Sequence, residues 1–151
     1  MVSAGPGGGL SLTAERRANR RAPMAMRDTD RALVQAASAV AKLRCRSAAH
    51  TLASAARTAD GRVVSAVNVV HDTGGACAEV IAVGAAATQA VGQLETIVTV
   101  GDRGRTVVIP CESCRRLLAD HFPALRVIVG PADDPQVVPI ADLSISIPQT
   151  P

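Results

Sequence analysis

Tryptophan and tyrosine are absent from these 151 residues, phenylalanine occurs once, at Phe122, and lysine once, at Lys42. Without large rings, a chain that is 48% hydrophobic must build its core from Ala, Val, Leu and Ile. The same lack removes the platforms on which single-stranded nucleic acids stack their bases. Fifteen of the sixteen basic residues are arginine, which points to GC-rich coding rather than to a function. No apolar run reaches the roughly 20 residues of a membrane span. Four cysteines in a chain with no signal peptide lead us to expect a reducing, cytoplasmic setting, where thiols are free to bind metal.

The formal charge of +3 is unevenly spread. Residues 1–27 hold Arg16, Arg17, Arg20, Arg21 and Arg27 against Glu15, a net of +4, while residues 28–151 hold eleven basic and twelve acidic residues, a net of −1. That remainder lacks the positive surface needed to neutralise phosphates, so no nucleic-acid partner is expected. Gly5-Pro6-Gly7-Gly8-Gly9 followed by an Arg/Ala run has no amphipathic period, so residues 1–27 are expected to be a disordered extension. Met24 and Met26 offer alternative starts to Met1, and the pairs Arg16-Arg17 and Arg20-Arg21 are followed by no apolar segment of a twin-arginine signal. Residues 28–148 are expected to form one catalytic domain, long enough for a sheet with helices on both faces.

Against this background stand Cys77-Ala78-Glu79 and Pro110-Cys111-Glu112-Ser113-Cys114. A catalytic zinc takes three protein ligands and keeps a fourth position for water, and Cys77, Cys111 and Cys114 supply that number. Each cysteine group is expected at the start of a helix, where aligned N–H groups favour thiolate over thiol. Pro110 suits a helix start, and the i, i+3 spacing places Cys111 and Cys114 on one face. Three thiolates and Zn2+ sum to a charge of −1, with Arg115 and Arg116 the nearest candidates to offset it. Glu79 is left to move protons. A closed structural site would need a fourth ligand from Cys45, His50, His71 or His121, and would give Glu79 no task. A redox pair would use only the C-x-x-C. The order Cys-x-Glu, then Pro-Cys-x-x-Cys, resembles the zinc-deaminase signature, in which the glutamate is not a ligand.

Thr29 is the expected cap of a first helix, whose apolar positions Leu33, Ala37, Val40 and Leu43 fall at helical spacing, with Cys45 a buried thiol past its end. A hairpin follows, with strands at 52–57 and 62–68 around Ala59-Asp60-Gly61. The first cysteine helix is expected over 76–91 and the second over 111–121. Strands are expected at 94–100, 107–109 and 125–129, with a weaker one at 137–140. This order predicts an α/β fold, a mixed sheet covered on both faces with its ligands at helix N-termini.

From about His50 to Leu143 the chain resembles the cytidine deaminase superfamily, and within it the fungal type of blasticidin S deaminase. The resemblance is carried by Ala53-Ser54-Ala55-Ala56, Asp60-Gly61-Arg62, Val67-Asn68-Val69, His71, Thr73-Gly74-Gly75, Cys77-Ala78-Glu79, Arg105, Pro110-Cys111 and Cys114-Arg115. It implies an α/β/α sandwich on a five-stranded mixed sheet, one Zn2+ per subunit on Cys77, Cys111 and Cys114, and Glu79 as proton shuttle. It further implies that Asn68 touches the sugar, the Ala78 amide the pyrimidine O2, and Thr51 and Arg105 the substrate, a guanidinium being suited to a carboxylate on a modified sugar. The implied assembly is a homotetramer whose neighbouring subunits complete each site. The implied reaction turns a cytosine nucleoside into the uracil nucleoside and ammonia. Blasticidin S is the first substrate, cytidine and deoxycytidine in pyrimidine salvage the alternative, and a non-catalytic zinc-stabilised binding protein a further reading. Three departures stand out. Val70 replaces a glutamate that ordinary cytidine deaminases place on the ribose, Glu112 replaces a glycine, and residues 146–151 lack an aromatic found near the family's C-terminus. Phe122 is expected to pack in the core or an interface, and His71 to orient its loop or meet substrate.

Overall fold

A computed structural model describes residues 24–144. The expected extension therefore enters it only from Met24, while residues 1–23, the domain end at 148 and the tail without an aromatic lie outside the described residues. Met24 donates its N–H to the Val137 carbonyl at 2.9 Å.

Helix α1 runs Asp28–Arg44. Its cap is Arg27, in extended backbone, rather than Thr29. The reason is Asp30, whose carboxylate accepts the Arg27 N–H at 2.9 Å and satisfies a donor the helix cannot. Acids open the helix and Lys42 and Arg44 close it, both matching the macrodipole. Asp30, Leu33, Ala37 and Ala41 form its buried stripe. Leu43, expected in that stripe, is 68% exposed, because at 100° per residue it falls about 120° round the helix from the stripe's centre. Cys45 is buried just past the end, as expected, and burial pushes its thiol up.

Strands β1 (Ala53–Thr58) and β2 (Val63–Val67) make the expected hairpin, with Gly61 at φ 91° in the turn. On its other edge β1 pairs antiparallel with β3 (Leu94–Gly101), β3 pairs parallel with β5 (Arg126–Val129), and β5 pairs antiparallel with β6 (Gln136–Pro139). The order is β2-β1-β3-β5-β6, five strands on the main path. A two-residue β4 (Thr106–Val107) adds a sixth at the end of β3. It stands where a strand over 107–109 was expected; Val108 adds one more bond, to Thr99, before Pro110 ends the supply of N–H donors.

Helix α2 (Ala78–Thr88) is shorter than the expected 76–91. Cys77 is the residue before it, and left-handed backbone at Ala90 and Gly92 turns the chain into β3. Helix α3 (Glu112–His121) agrees with its expected span but for Cys111, which again sits at the cap. Ile140, expected to end a strand, instead opens a short α4 (Ile140–Ser144). Alternation along the strands divides the core. Ala53, Ala55, Val98, Val100, Ile128 and Val137 pack with the α1 stripe, while Ala56, Ile97, Val127 and Val129 pack with Ala86, Leu118 and Ile140 from α2, α3 and α4. Among the described residues no helix is long and apolar enough to cross a membrane.

Candidate active site

Two helix starts converge at one end of the sheet. The first is set by a short loop closed by a reciprocal pair of hydrogen bonds, Val69 N–H to Ala76 O and Ala76 N–H to Val69 O, both 2.9 Å. Gly75 makes that closure possible: it has φ 69°, and a Cβ there would run into the Val69 carbonyl. Within the loop, the exposed His71 turns its Nδ1 inward to accept the Thr73 N–H at 3.1 Å, with the Thr73 hydroxyl at 2.7 Å. This contact holds the loop. Cys77 follows at the cap of α2, in extended backbone.

The second start belongs to α3. Cys111 is its cap and Cys114 its third residue, so Pro110 lies one residue before the cap rather than at the first helical position. The sulfurs of Cys77 and Cys111 are 3.9 Å apart, and those of Cys77, Cys111 and Cys114 all lie within 4.8 Å of one another. Tetrahedral zinc with Zn–S bonds of about 2.3 Å separates its sulfurs by about 3.8 Å. The donor set fits a soft thiolate-bound ion of that size. Neither Glu79 nor any of Cys45, His50, His71 and His121 joins the group of possible ligands among the described residues.

Burial pushes the Cys77 and Cys114 thiols up, Cys114 much further, with the neighbouring sulfur and the Glu79 charge adding to it. Cys111 is also pushed up by burial, but bonds from the Cys114 backbone N–H and the other two thiols bring it below its ordinary value. Positive charge comes from the two helix N-termini and from Arg115. That guanidinium is buried and donates to the Pro110 carbonyl at 3.0 Å, immediately before Cys111. Arg116, the other candidate, lies on the surface.

Glu79 occupies the first turn of α2 and is buried. Its Oε1 accepts the hydroxyl of Thr99 at 2.9 Å, and Thr99 Oγ1 is 2.6 Å from Ser54 Oγ. Neither hydroxyl was anticipated from sequence. The signal available was that Ser54 and Thr99 each sit between apolar neighbours within a strand, Ser54 between Ala53 and Ala55 and Thr99 between Val98 and Val100.

Asn68 and Thr51 are brought together. The Asn68 side-chain oxygen accepts the N–H groups of Thr51 at 2.7 Å and Leu52 at 2.9 Å, and its amide donates to Thr51 Oγ1 at 2.8 Å. His50 Nδ1 lies 2.7 Å from the Asn68 carbonyl oxygen. Asn68 is therefore a buried clamp between two loops, with one amide hydrogen that bonds to nothing among the described residues. It follows β2 directly, and the next residue, Val69, pairs with Ala76, which places Asn68 beside Cys77 in the chain path. Ala78, the first residue of α2, is fully buried. Arg105 bonds within its own turn, whose Asp102 lines one cavity with His50 and Thr51. Its side chain is 70% exposed and forks onto its own turn, with Nη2 2.6 Å and Nε 3.1 Å from the two Asp102 oxygens. Asp102 and Arg103 hold left-handed backbone there, and Gly104 lies close against Ser38.

No family model matches the chain. A blasticidin-S deaminase from Bacillus cereus is 36% identical over 89 residues, covering 53% of this chain and 64% of that protein, so the match spans less than two thirds of the relative's length. A crystal structure of cytidine deaminase from Mycobacterium leprae superposes with a TM-score of 0.65 at 26% identity, over 77% of this chain and 97% of that one. One of cytidine deaminase from Burkholderia pseudomallei gives 0.63 at 25% identity, over 78% and 96%.

Proposed function

The chain belongs to the cytidine deaminase superfamily, and from that premise we propose that it hydrolyses the amino group of a cytosine nucleoside, releasing the uracil nucleoside and ammonia. One observation carries the reading: three sulfurs at zinc spacing stand at two helix starts, with a buried carboxylate, Glu79, held off the ligand set two residues after the first of them.

Cys77, Cys111 and Cys114 would hold one Zn2+ per subunit, and zinc there would acidify the attacking water. The residual charge of −1 is offset by the two helix ends and Arg115. Glu79 takes one proton from the water and gives it to N3, which makes C4 electrophilic. After oxygen adds to C4, the same carboxyl takes the remaining hydroxyl proton and gives it to the amino group, which leaves as ammonia. N3 keeps its proton and C4 keeps the oxygen, so the ring departs as uracil. Shuttling of this kind contributes roughly 10^2 to 10^4 in rate.

Within this class we favour a nucleoside of the blasticidin S type, because the similarity to a blasticidin-S deaminase and Val70 at a family ribose-binding position both point away from a plain ribose. Arg105 would serve such a substrate through the Nη hydrogens that Asp102 leaves open, or by exchanging Asp102 for the substrate carboxylate. Its present pairing is the observation that favours the second reading, deamination of cytidine or deoxycytidine. A homotetramer, a cytoplasmic setting and the lack of a nucleic-acid partner are part of the same proposal, the last supported by the net −1 of residues 28–151.

The test is loss of cytosine absorbance with blasticidin S, cytidine and deoxycytidine, on zinc-loaded protein and on Glu79→Ala. Turnover that falls about 10^2-fold or more on substitution, with zinc retained, is expected. Silence on all three nucleosides would refute the reading and favour a zinc-stabilised binding protein.

A further inference from the structure

Behind Glu79 lies a pair of hydroxyls that the cysteine motif does not require. Ser54, Thr99 and Glu79 are all buried, and the two contacts, 2.6 Å and 2.9 Å, join them in one line. Each hydroxyl has a single proton to give, and an ionised carboxylate can only accept. Thr99 therefore spends its proton on Glu79, and Ser54 must donate to Thr99. With the Thr99 hydroxyl placed as donor to Glu79 Oε1, the count leaves Ser54 as the donor to Thr99. Among the described residues no other hydrogen bond reaches the Glu79 carboxylate.

The last torsion of a glutamate side chain is broad and nearly two-fold, so nothing intrinsic to Glu79 selects one oxygen over the other. We propose that Thr99 is a positioning residue that makes the selection: by holding Oε1 it orients the carboxylate and assigns proton transfer to Oε2. The bond persists through a catalytic cycle, because Oε1 remains an acceptor whether or not Oε2 carries a proton. Ser54 supports the arrangement by using up the acceptor side of the Thr99 hydroxyl. The proposal rests on the deaminase reading above, in which Glu79 moves two protons in sequence and must present an oxygen in the productive orientation for each.

Thr99→Val keeps the shape of the side chain and removes the donor; Thr99→Ser keeps the donor. With the nucleoside that the wild type turns over, Thr99→Val should lower kcat about 10- to 100-fold, the usual effect of losing a residue that orients a reacting group. KM and zinc stoichiometry should be unchanged, and Thr99→Ser should recover most of the rate. On a Glu79→Ala background, Thr99→Val should cost nothing further, since the group it acts through is gone. Wild-type kcat in Thr99→Val, a loss carried by KM or zinc content, or failure of Thr99→Ser to recover would each overturn the proposal. Should Thr99→Val not fold, Thr99→Ala takes its place with the same readouts. If the wild type turns over no nucleoside, the reading of function fails separately. Crystal structures of zinc-loaded wild type and Thr99→Val then decide the positioning. One Glu79 conformer bonded to Thr99 in the first and a rotated or split carboxylate in the second would support it; the same conformer in both would overturn it.

Discussion

Asp30→Asn should destabilise the protein more than any surface substitution, and the structure sets the size of the effect. Asp30 is fully buried, and its oxygens accept four bonds: from Arg57 Nη2 and Arg126 Nη1 on Oδ1, each 3.0 Å, and from Arg126 Nη2 at 3.0 Å and the Arg27 N–H at 2.9 Å on Oδ2. Arg57 is itself buried, and its Nη1 has no hydrogen-bond partner among the described residues, so it has no slack to absorb a loss. Asparagine has the right volume but no charge, and it turns an NH2 group toward guanidinium donors. Removing one member of a buried ion pair costs about 3–5 kcal/mol. Glu95 moderates this, because its Oε1 is 3.5 Å from Arg57 Nη2 and 3.9 Å from Arg126 Nη1, though it is 31% exposed. The lower end, about 3 kcal/mol, is the expected value, and it lowers Tm by about 10 °C for a domain of this size. Urea unfolding must be followed by far-UV circular dichroism, since the chain has no tryptophan or tyrosine for intrinsic fluorescence, and at one fixed protomer concentration. Asp28→Asn is the control: its pair with Arg31 is fully exposed, and its loss should change stability by no more than about 0.5 kcal/mol. A loss below about 1 kcal/mol for Asp30→Asn, with an unchanged m-value, would refute this account of the cluster.

Two further expectations concern the loops. Gly75→Ala should strip zinc from the site, whereas Gly74→Ala should retain it. Both glycines have positive φ, so alanine at either carries about 1–3 kcal/mol of strain, but only at Gly75 would the new Cβ also meet the Val69 carbonyl that closes the loop; equal metal content in the two variants would contradict this. At the hairpin, the Thr58 hydroxyl and then Arg62 hold the Asp60 carboxyl down at about 2. A depressed carboxylate contributes stability that is fully present above its unfolded value of 3.8 and lost as pH falls through about 2. Thr58→Val should move the Asp60 titration, followed by carboxyl NMR, back toward 3.8; an unmoved midpoint would show that Arg62 alone sets it.

The sequence carried those parts of the site whose chemistry is tied to local spacing. Cys77 with Glu79, and Cys111 with Cys114, sit on single helix starts, so their separations in the chain are also their separations in space. The hairpin was legible for the same reason, through Asp60-Gly61. What stayed hidden was set by partners far along the chain. Asn68 carries the mark of a substrate residue in the family resemblance, and its side chain also clamps Thr51 and Leu52, 17 and 16 residues away, contacts that local spacing does not announce. Arg105 was equally open to a ligand on sequence grounds, and only the left-handed turn at Asp102 and Arg103 reveals that its fork closes on Asp102. The expected stripe held at Leu33 and Ala37, with Val40 packed partly against the same core, and missed at Leu43 because helical period was read over apolar residues alone. The true stripe begins at Asp30, a carboxylate that burial and three arginines make part of the interior.

The pairing of β1, β3 and β5 ties the two polar systems together. Its register sets Ser54 opposite Thr99, and Arg57, Thr96 and Arg126 in a row across three strands. Positions 54 and 57, like 99 and 96, are an odd number of residues apart, so the two rows lie on opposite faces of the sheet. The first row meets Glu79 beneath α2, and the second meets Asp30 beneath α1. A slip of β1 by one residue would put Ser54 on the α1 face and turn Arg57 into the layer against α2 and α3, burying a guanidinium away from Asp30. The charge cluster under α1 thus penalises the misregistered sheet far more than a set of alanines and valines could, since Ala53, Ala55 and Ala56 differ little in what they bury on either face. In a core whose aromatic ring, Phe122, is only partly buried at its edge, Asp30 and its arginines fix the register by charge, and the hydroxyl line to Glu79 depends on the same alignment.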